Sequence, residues 1–150
     1  MEWICKPYNA LTLDELYSIL RLRSAVFVLE QGCLYEDIDG IDRDSLHLFC
    51  TRNGSIRAYS RLYWKSDEEN VVKLGRVVTA ERGTGLGREL LRRSIETAFN
   101  RMAPREIYIE AQQYAEGFYA REGFVTCSEP FLEDGILHVQ MRLKAQDRRG

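Results

Sequence analysis

Arg82-Gly83-Thr84-Gly85-Leu86-Gly87 is the stretch of this chain whose residue types and spacing could do chemistry. Three glycines in five residues at the start of a helix leave backbone N–H groups bare. Those donors, with the positive end of the helix dipole behind them, suit the oxygens of a phosphate or pyrophosphate. Two other phosphate loops do not fit. A nucleoside-triphosphate loop needs Gly-Lys followed by Ser or Thr, and no Gly-Lys pair occurs in the chain. The dinucleotide fingerprint Gly-x-Gly-x-x-Gly fails by one residue, because Gly83, Gly85 and Gly87 are evenly spaced. What fits is Arg-x-x-Gly-x-Gly, from Arg82 through Gly85 to Gly87. On spacing alone an ordinary tight turn into a helix stays open as well.

Downstream, Phe118-Tyr119-x-x-x-Gly123-Phe124 reads as a short helix ended by a C-terminal glycine and followed by a strand. Taken alone, Tyr119 is a half-buried aromatic. The glycine loop followed by this pattern resembles the GNAT superfamily of N-acetyltransferases. The other half of the chain is similar to the ElaA-like branch of that superfamily. The segments that carry this are Leu22 to Gln31, Tyr35-Glu36-Asp37-Ile38-Asp39-Gly40 with Asp42 and His47, and Ala58-Tyr59-Ser60-Arg61. Gly75-Arg76-Val77, Ala111-Gln112 and Glu133 to His138 complete the set. The resemblance spans nearly the whole chain. One departure is that only Thr79, Ala80 and Glu81 link the strand to Arg82, a shorter link than this branch implies.

The resemblance implies an α/β (α+β) GNAT-like fold. Its central sheet would be mixed and mostly antiparallel, with two splayed parallel strands, 71–79 and 106–111, and helices on both faces. It implies acetyl-coenzyme A as co-substrate. The pyrophosphate would lie on Arg82, Gly83, Thr84, Gly85, Leu86, Gly87 and Arg88. The pantetheine would run along Val77, Val78 and Thr79 like an added strand, with the thioester sulfur beside Tyr119. The reaction implied is direct acetyl transfer to an amine. That amine must be neutral, since a protonated lysine-type amine with a pKa of about 10.4 has no lone pair. A strand N–H near Val77 or Val78 could hold the oxyanion, and the Tyr119 hydroxyl could protonate the departing thiolate. No serine or cysteine triad spacing is present, and none is needed. Glu110 is the candidate base, with Glu30, Asp37, Asp39 and water also open. Arg23, Phe27, Glu30, Asp37 and Asp39 are candidate acceptor contacts, and the acidic segment favours a cationic amine. The alternative is a non-catalytic acyl-coenzyme A-binding or regulatory module.

Bulk properties narrow the field. A chain of 150 residues, 1–150, fits one domain, and a net charge of −2 offers no basic face for nucleic acid. No apolar run reaches membrane-span length, and Met1-Glu2-Trp3 opens no signal-peptide pattern, so a cytoplasmic protein is expected. Four cysteines without a Cys-x-x-Cys pair read as reduced thiols. His47 with Cys50 is too little for zinc, and Asp42 occupies the position where a calcium loop beginning at Asp37 needs glycine, so no metal is expected. A homodimer is compatible with the sequence, and no pattern demands one.

The elements that must position these residues are legible. Trp3 to Pro7 reads as a strand. Thr12 and Glu15 form a capping box for a helix running toward Gln31, with Leu16, Ile19, Leu20, Arg23 and Phe27 along one side. An acidic loop, 32–45, precedes two strands, 46–52 and 56–65, joined by the hairpin turn Asn53-Gly54. Val71 to Thr79 is a buried or half-buried strand, and Leu90, Leu91, Ile95, Ala98, Phe99 and Met102 line one side of a helix from Gly87 to Met102. A strand at 107–111, a helix at 114–122 and a closing pair about Glu133-Asp134-Gly135 complete the chain. Strands that first meander and then alternate with helices predict one mixed sheet.

Overall fold

The computed structural model describes residues 1–148. Strand β1 (Glu2–Pro7) leads into helix α1 (Leu13–Arg23). The predicted box caps that helix: the Glu15 N–H donates to Thr12 Oγ1 at 3.0 Å, and the Thr12 N–H donates to Glu15 Oε1 at 2.8 Å. The helix does run on toward Gln31, but Ser24–Glu30 winds as a π-helix. Within that segment Val26 is buried while Phe27 is only half-buried, a facing that a continuous α-helical stripe does not foresee. Asn53 (φ 53°) and Gly54 (φ 78°) then turn β2 (Leu46–Arg52) into β3 (Ser55–Trp64), both residues at the positive φ that a tight hairpin requires.

Strand β4 (Val71–Thr79) is followed by α2 (Leu86–Thr97), whose last turn, Ala98–Met102, is again π-helical. Then come β5 (Glu106–Gln112), the short helix α3 (Glu116–Ala120), β6 (Val125–Thr126), β7 (Phe131–Glu133) and β8 (Ile136–Lys144). The sheet runs β1-β2-β3-β4-β5-β8-β6, with β7 also paired to β8. Every pairing is antiparallel except β4–β5, which is parallel and needs the α2 crossover to form. That pair matches only Val71 with Glu106, Val72 with Ile107 and Lys73 with Tyr108, after which the two strands part.

Between β3 and β4 the register slips. Arg61 pairs with Gly75 and Tyr59 with Val78, so Arg76 and Val77 together face Ser60. This is a β-bulge on β4, and it reverses which face the following side chains meet. Helices cover both faces of the sheet. Leu62, Leu74, Ile107 and Met141 pack with Leu91, Ile95 and Ala98 of the α2 segment, and Phe118 and Tyr119 of α3 join them. On the opposite face Ile19 and Val26 pack on Phe49, Tyr59 and Val78. Among the described residues no helix is long and apolar enough to cross a membrane.

Leu91 is fully buried at the centre of the larger cluster. Leu91→Ala is expected to cost about 2–5 kcal/mol by urea unfolding. Thr12→Ala, which removes only the α1 cap, is expected to cost about 1 kcal/mol.

Candidate active site

The glycine loop is built as an open cradle. Gly83 (φ 75°) and Gly85 (φ 79°) are left-handed, where a side chain is strained, and a Cβ at either would meet nothing within 4 Å. Helix α2 starts at Leu86 with no side-chain cap, and the Leu86 N–H has a 3.4 Å contact with Thr84 Oγ1. A Cβ at Gly87 would make only ordinary contact, 3.8 Å from the Phe118 ring and 3.9 Å from Thr79 Cγ2. This donor set fits a pyrophosphate. The short link from β4 is absorbed by one further ladder bond, Ala80 N–H to the Arg57 carbonyl at 2.8 Å. Arg82 is exposed and pairs with Glu30 at 2.5 Å, while Arg88 lies 3.7 Å from Glu122.

Where β4 and β5 part lies a cavity of about 400 Å³. Of the residues singled out from sequence, Phe27, Asp39, Val77, Glu110 and Tyr119 line it. The stretch Arg82 to Arg88 contributes no wall, so the cradle and the cavity are separate stations. Tyr119 comes from the α2 side, edge-on to Phe118 at 5.1 Å and to Phe124 at 5.9 Å. Burial pushes its hydroxyl well above the usual tyrosine range, so it is protonated at neutral pH. Glu110 comes from the other face, since its strand neighbours Ile109 and Ala111 belong to the α2-side core. Glu110 accepts from Lys73 Nζ at 2.9 Å and from the Tyr108 hydroxyl at 2.9 Å. Burial alone would raise its pKa, but the Lys73 ammonium and these hydrogen bonds outweigh burial and hold it below the usual range.

Beside the cavity the acidic segment is tied to buried arginines. Arg23 is wholly buried and donates to Asp42 Oδ1 at 2.7 Å, to Asp37 Oδ2 at 3.2 Å and to the Asp37 carbonyl at 2.6 Å. Arg61 donates to both Asp39 oxygens, at 2.9 and 2.6 Å, and to Asp42 Oδ1 at 2.9 Å. Burial would raise the Asp39 pKa, yet the Arg61 hydrogen bonds and charge hold it at about 2. Asp42 is likewise held low by Arg23 and Arg61 against burial. His47 is fully buried between the Tyr59 hydroxyl at 2.7 Å and the Asp42 carbonyl at 2.8 Å, and burial lowers its pKa. Its Nε2 therefore carries the proton and Nδ1 accepts from Tyr59. Arg23, expected among the acceptor contacts, offers no surface to a substrate, because its charge is needed inside. Asp37 lines no part of the cavity either, and Glu30 is drawn to Arg82.

Residues 15–145 match the family described as acetyltransferase (GNAT) domain. The chain belongs to the GNAT acetyltransferase family. The ElaA protein of Escherichia coli is 37% identical over 145 residues, which cover 94% of this chain and 95% of that protein. Its crystal structure superposes with a TM-score of 0.89 at 35% identity, over 95% of this chain and 99% of that one. The crystal structure of an acyl-CoA N-acyltransferase from Pseudomonas aeruginosa gives the same TM-score, 0.89, at 41% identity and the same coverage, 95% and 99%. A UPF0039 protein of Schizosaccharomyces pombe is 40% identical over 96% of this chain and 97% of its own length. This is an ElaA-like GNAT protein with the GNAT fold, and acyl transfer from an acyl-coenzyme A is its reaction class.

In this GNAT chain the sequence reading overlooked Lys73, Arg61 and Arg76 as parts of the site. A signal for Arg61 exists: it falls between Tyr59 and Tyr63 at the strand period, so it shares their face. The aspartates carry a pH signature. Their folded pKa values are depressed, so the stability they add is full above the ordinary carboxylate pKa of about 4 and is lost as pH falls toward 2. Asp42→Asn is expected to cost about 3–5 kcal/mol at pH 7, because it leaves two buried guanidinium groups short of a partner. Urea unfolding at pH 7 and pH 3 checks both points: the variant's deficit shrinks at the lower pH.

Proposed function

We propose that this protein is an acetyl-coenzyme A-dependent N-acetyltransferase that moves acetyl directly from the thioester to an amine. The observation that carries this reading is the gap between β4 and β5. A proton-holding tyrosine reaches it from one face of the sheet and an ionised carboxylate from the other. Arg82 to Arg88 would hold the pyrophosphate. The Arg82–Glu30 pair is exposed, so it is weakly held and exchanges readily for phosphate. Val77, Val78 and Thr79 would take the pantetheine on the side where β5 no longer pairs.

The amine attacks the thioester carbonyl as the neutral base, and a strand N–H near Val77 or Val78 holds the oxyanion. The N–C bond forms and the C–S bond breaks, leaving its electron pair on sulfur. The Tyr119 hydroxyl gives that sulfur its proton. The amine's surplus proton leaves toward Glu110. With its pKa held low by Lys73, Glu110 works through water rather than as a strong base on its own. Glu36, Glu133 and Asp134 add carboxylates to the cavity wall, which favours a cationic acceptor. Four free cysteines suit a reducing compartment, and the cytoplasm is the proposed location.

Calorimetric titration with acetyl-coenzyme A is expected to show saturable binding that is lost in an Arg82→Ala, Gly85→Asp variant. Thiol release across a panel of amines then finds the acceptor, with cationic amines turning over and anionic ones not. Tyr119→Phe is expected to lower kcat by about 10²–10⁴ with cofactor affinity retained. Binding without turnover of any amine would favour the non-catalytic module instead.

A further inference from the structure

Arg76 has no part in that mechanism, yet of the two non-glycine residues at positive φ on the cavity wall it is the one inside a strand, Asp134 lying in the β7–β8 turn. It sits inside β4 at φ 52°, left-handed, at the bulge. An L-residue there is strained, and glycine would not be. Gly75 is the immediate neighbour and keeps an ordinary φ, so the strained position is held by the arginine and not by the glycine beside it. Strain of this kind persists only where surrounding contacts over-determine it.

The contacts that do so are made by the side chain. Arg76 Nε donates to Asp37 Oδ1 at 2.8 Å, and Nη2 reaches the Asp37 carbonyl at 3.2 Å and Asp39 Oδ2 at 3.3 Å. The guanidinium lies over the Tyr35 ring, 4.8 Å from its centroid. Asp37 is anchored in turn by Arg23, and Asp39 by Arg61. The segment 35–39, which borders the cavity, therefore grips the left-handed member of the two residues that form the bulge. The bulge lies past Lys73, where β4 has lost β5 as a partner.

We propose that Arg76 is a positioning residue. Segment 35–39 clamps its guanidinium, and the clamp holds the bulge of β4 so that its amide can bind the thioester carbonyl. The acceptor loop and the oxyanion donor are then one mechanical unit, and a disturbance of the loop is felt at the carbonyl. This rests on the acyl-transfer reading above.

The test needs no knowledge of the acceptor. Acetyl-coenzyme A labelled with carbon-13 at the acetyl carbonyl is bound to the protein, and the carbonyl resonance is compared with that of the free thioester. A hydrogen bond to the carbonyl moves the resonance downfield, and the wild-type complex is expected to show that displacement. Arg76→Gly relaxes the backbone and removes the clamp. It is expected to stay folded, with a melting temperature at or below that of wild type, and to bind with little change in Kd, but to lose most of the displacement. Arg76→Lys, which can still reach Asp37 with one donor, is expected to recover part of it. Arg76→Gly with the full wild-type displacement would overturn the proposal, and so would a wild-type resonance at the free position. Absence of saturable binding by wild type is a separate result: it would sink the acyl-transfer reading itself and the proposal with it.

Discussion

Two parallel strands that pair over three residues and then separate set the terms for everything else in this protein. Backbone N–H and C=O groups are obligatory hydrogen-bonding groups, and a sheet ordinarily satisfies them across the ladder. Once β4 and β5 part, those facing the gap must find water or a guest. A guest with amide groups of its own, laid along β4, meets that need in the way an added strand would. The α2 crossover that the parallel pair requires also starts beside the end of β4, so the bare helix start and the open strand edge come from one topological fact. The cradle and the gap are neighbours because the connection is short.

The acidic segment takes a different meaning once its charges are traced. Asp37, Asp39 and Asp42 look like bait for a cationic substrate when read along the chain. In the folded protein they neutralise the half-buried Arg76 and the fully buried Arg23 and Arg61, neither of which could be buried unpaired. A buried ion pair is a poor source of net stability, since desolvation consumes most of the Coulombic gain. What it supplies here is position. The multiple donors of each guanidinium reach two or more acceptors and fix a loop that has little regular structure of its own.

Local features were readable and non-local ones were not, and the division follows the physics. The Thr12–Glu15 box, the Asn53-Gly54 turn and the stripe through Leu91, Ile95 and Ala98 each depend on residues a few positions apart. The glycine loop is local too, which is why its spacing alone could exclude two other phosphate loops. The bulge is a mismatch between β3 and β4 that neither strand encodes by itself, and arginine is a residue that no propensity would place at positive φ. The passage of α1 into a π-helix is similarly invisible, because Val26 and Phe27 are both apolar and only packing decides which is buried. Lys73 and Glu110 lie 37 positions apart in sequence and meet only because the β4–β5 register brings them together.

The sheet also works as a partition. Side chains alternate across a strand, so Glu110 and the α3 side chains approach the gap from opposite faces. In the proposed reaction the leaving sulfur and the attacking amine need opposite services, a proton given and a proton taken. A hole in a sheet lets one group come from each face and serve its own reacting atom. Burial keeps the hydroxyl of Tyr119 protonated, and the Lys73 ammonium keeps Glu110 ionised. Each turnover leaves Tyr119 one proton short and the Glu110 side one proton long, and the two environments both drive that proton back through water to the tyrosine.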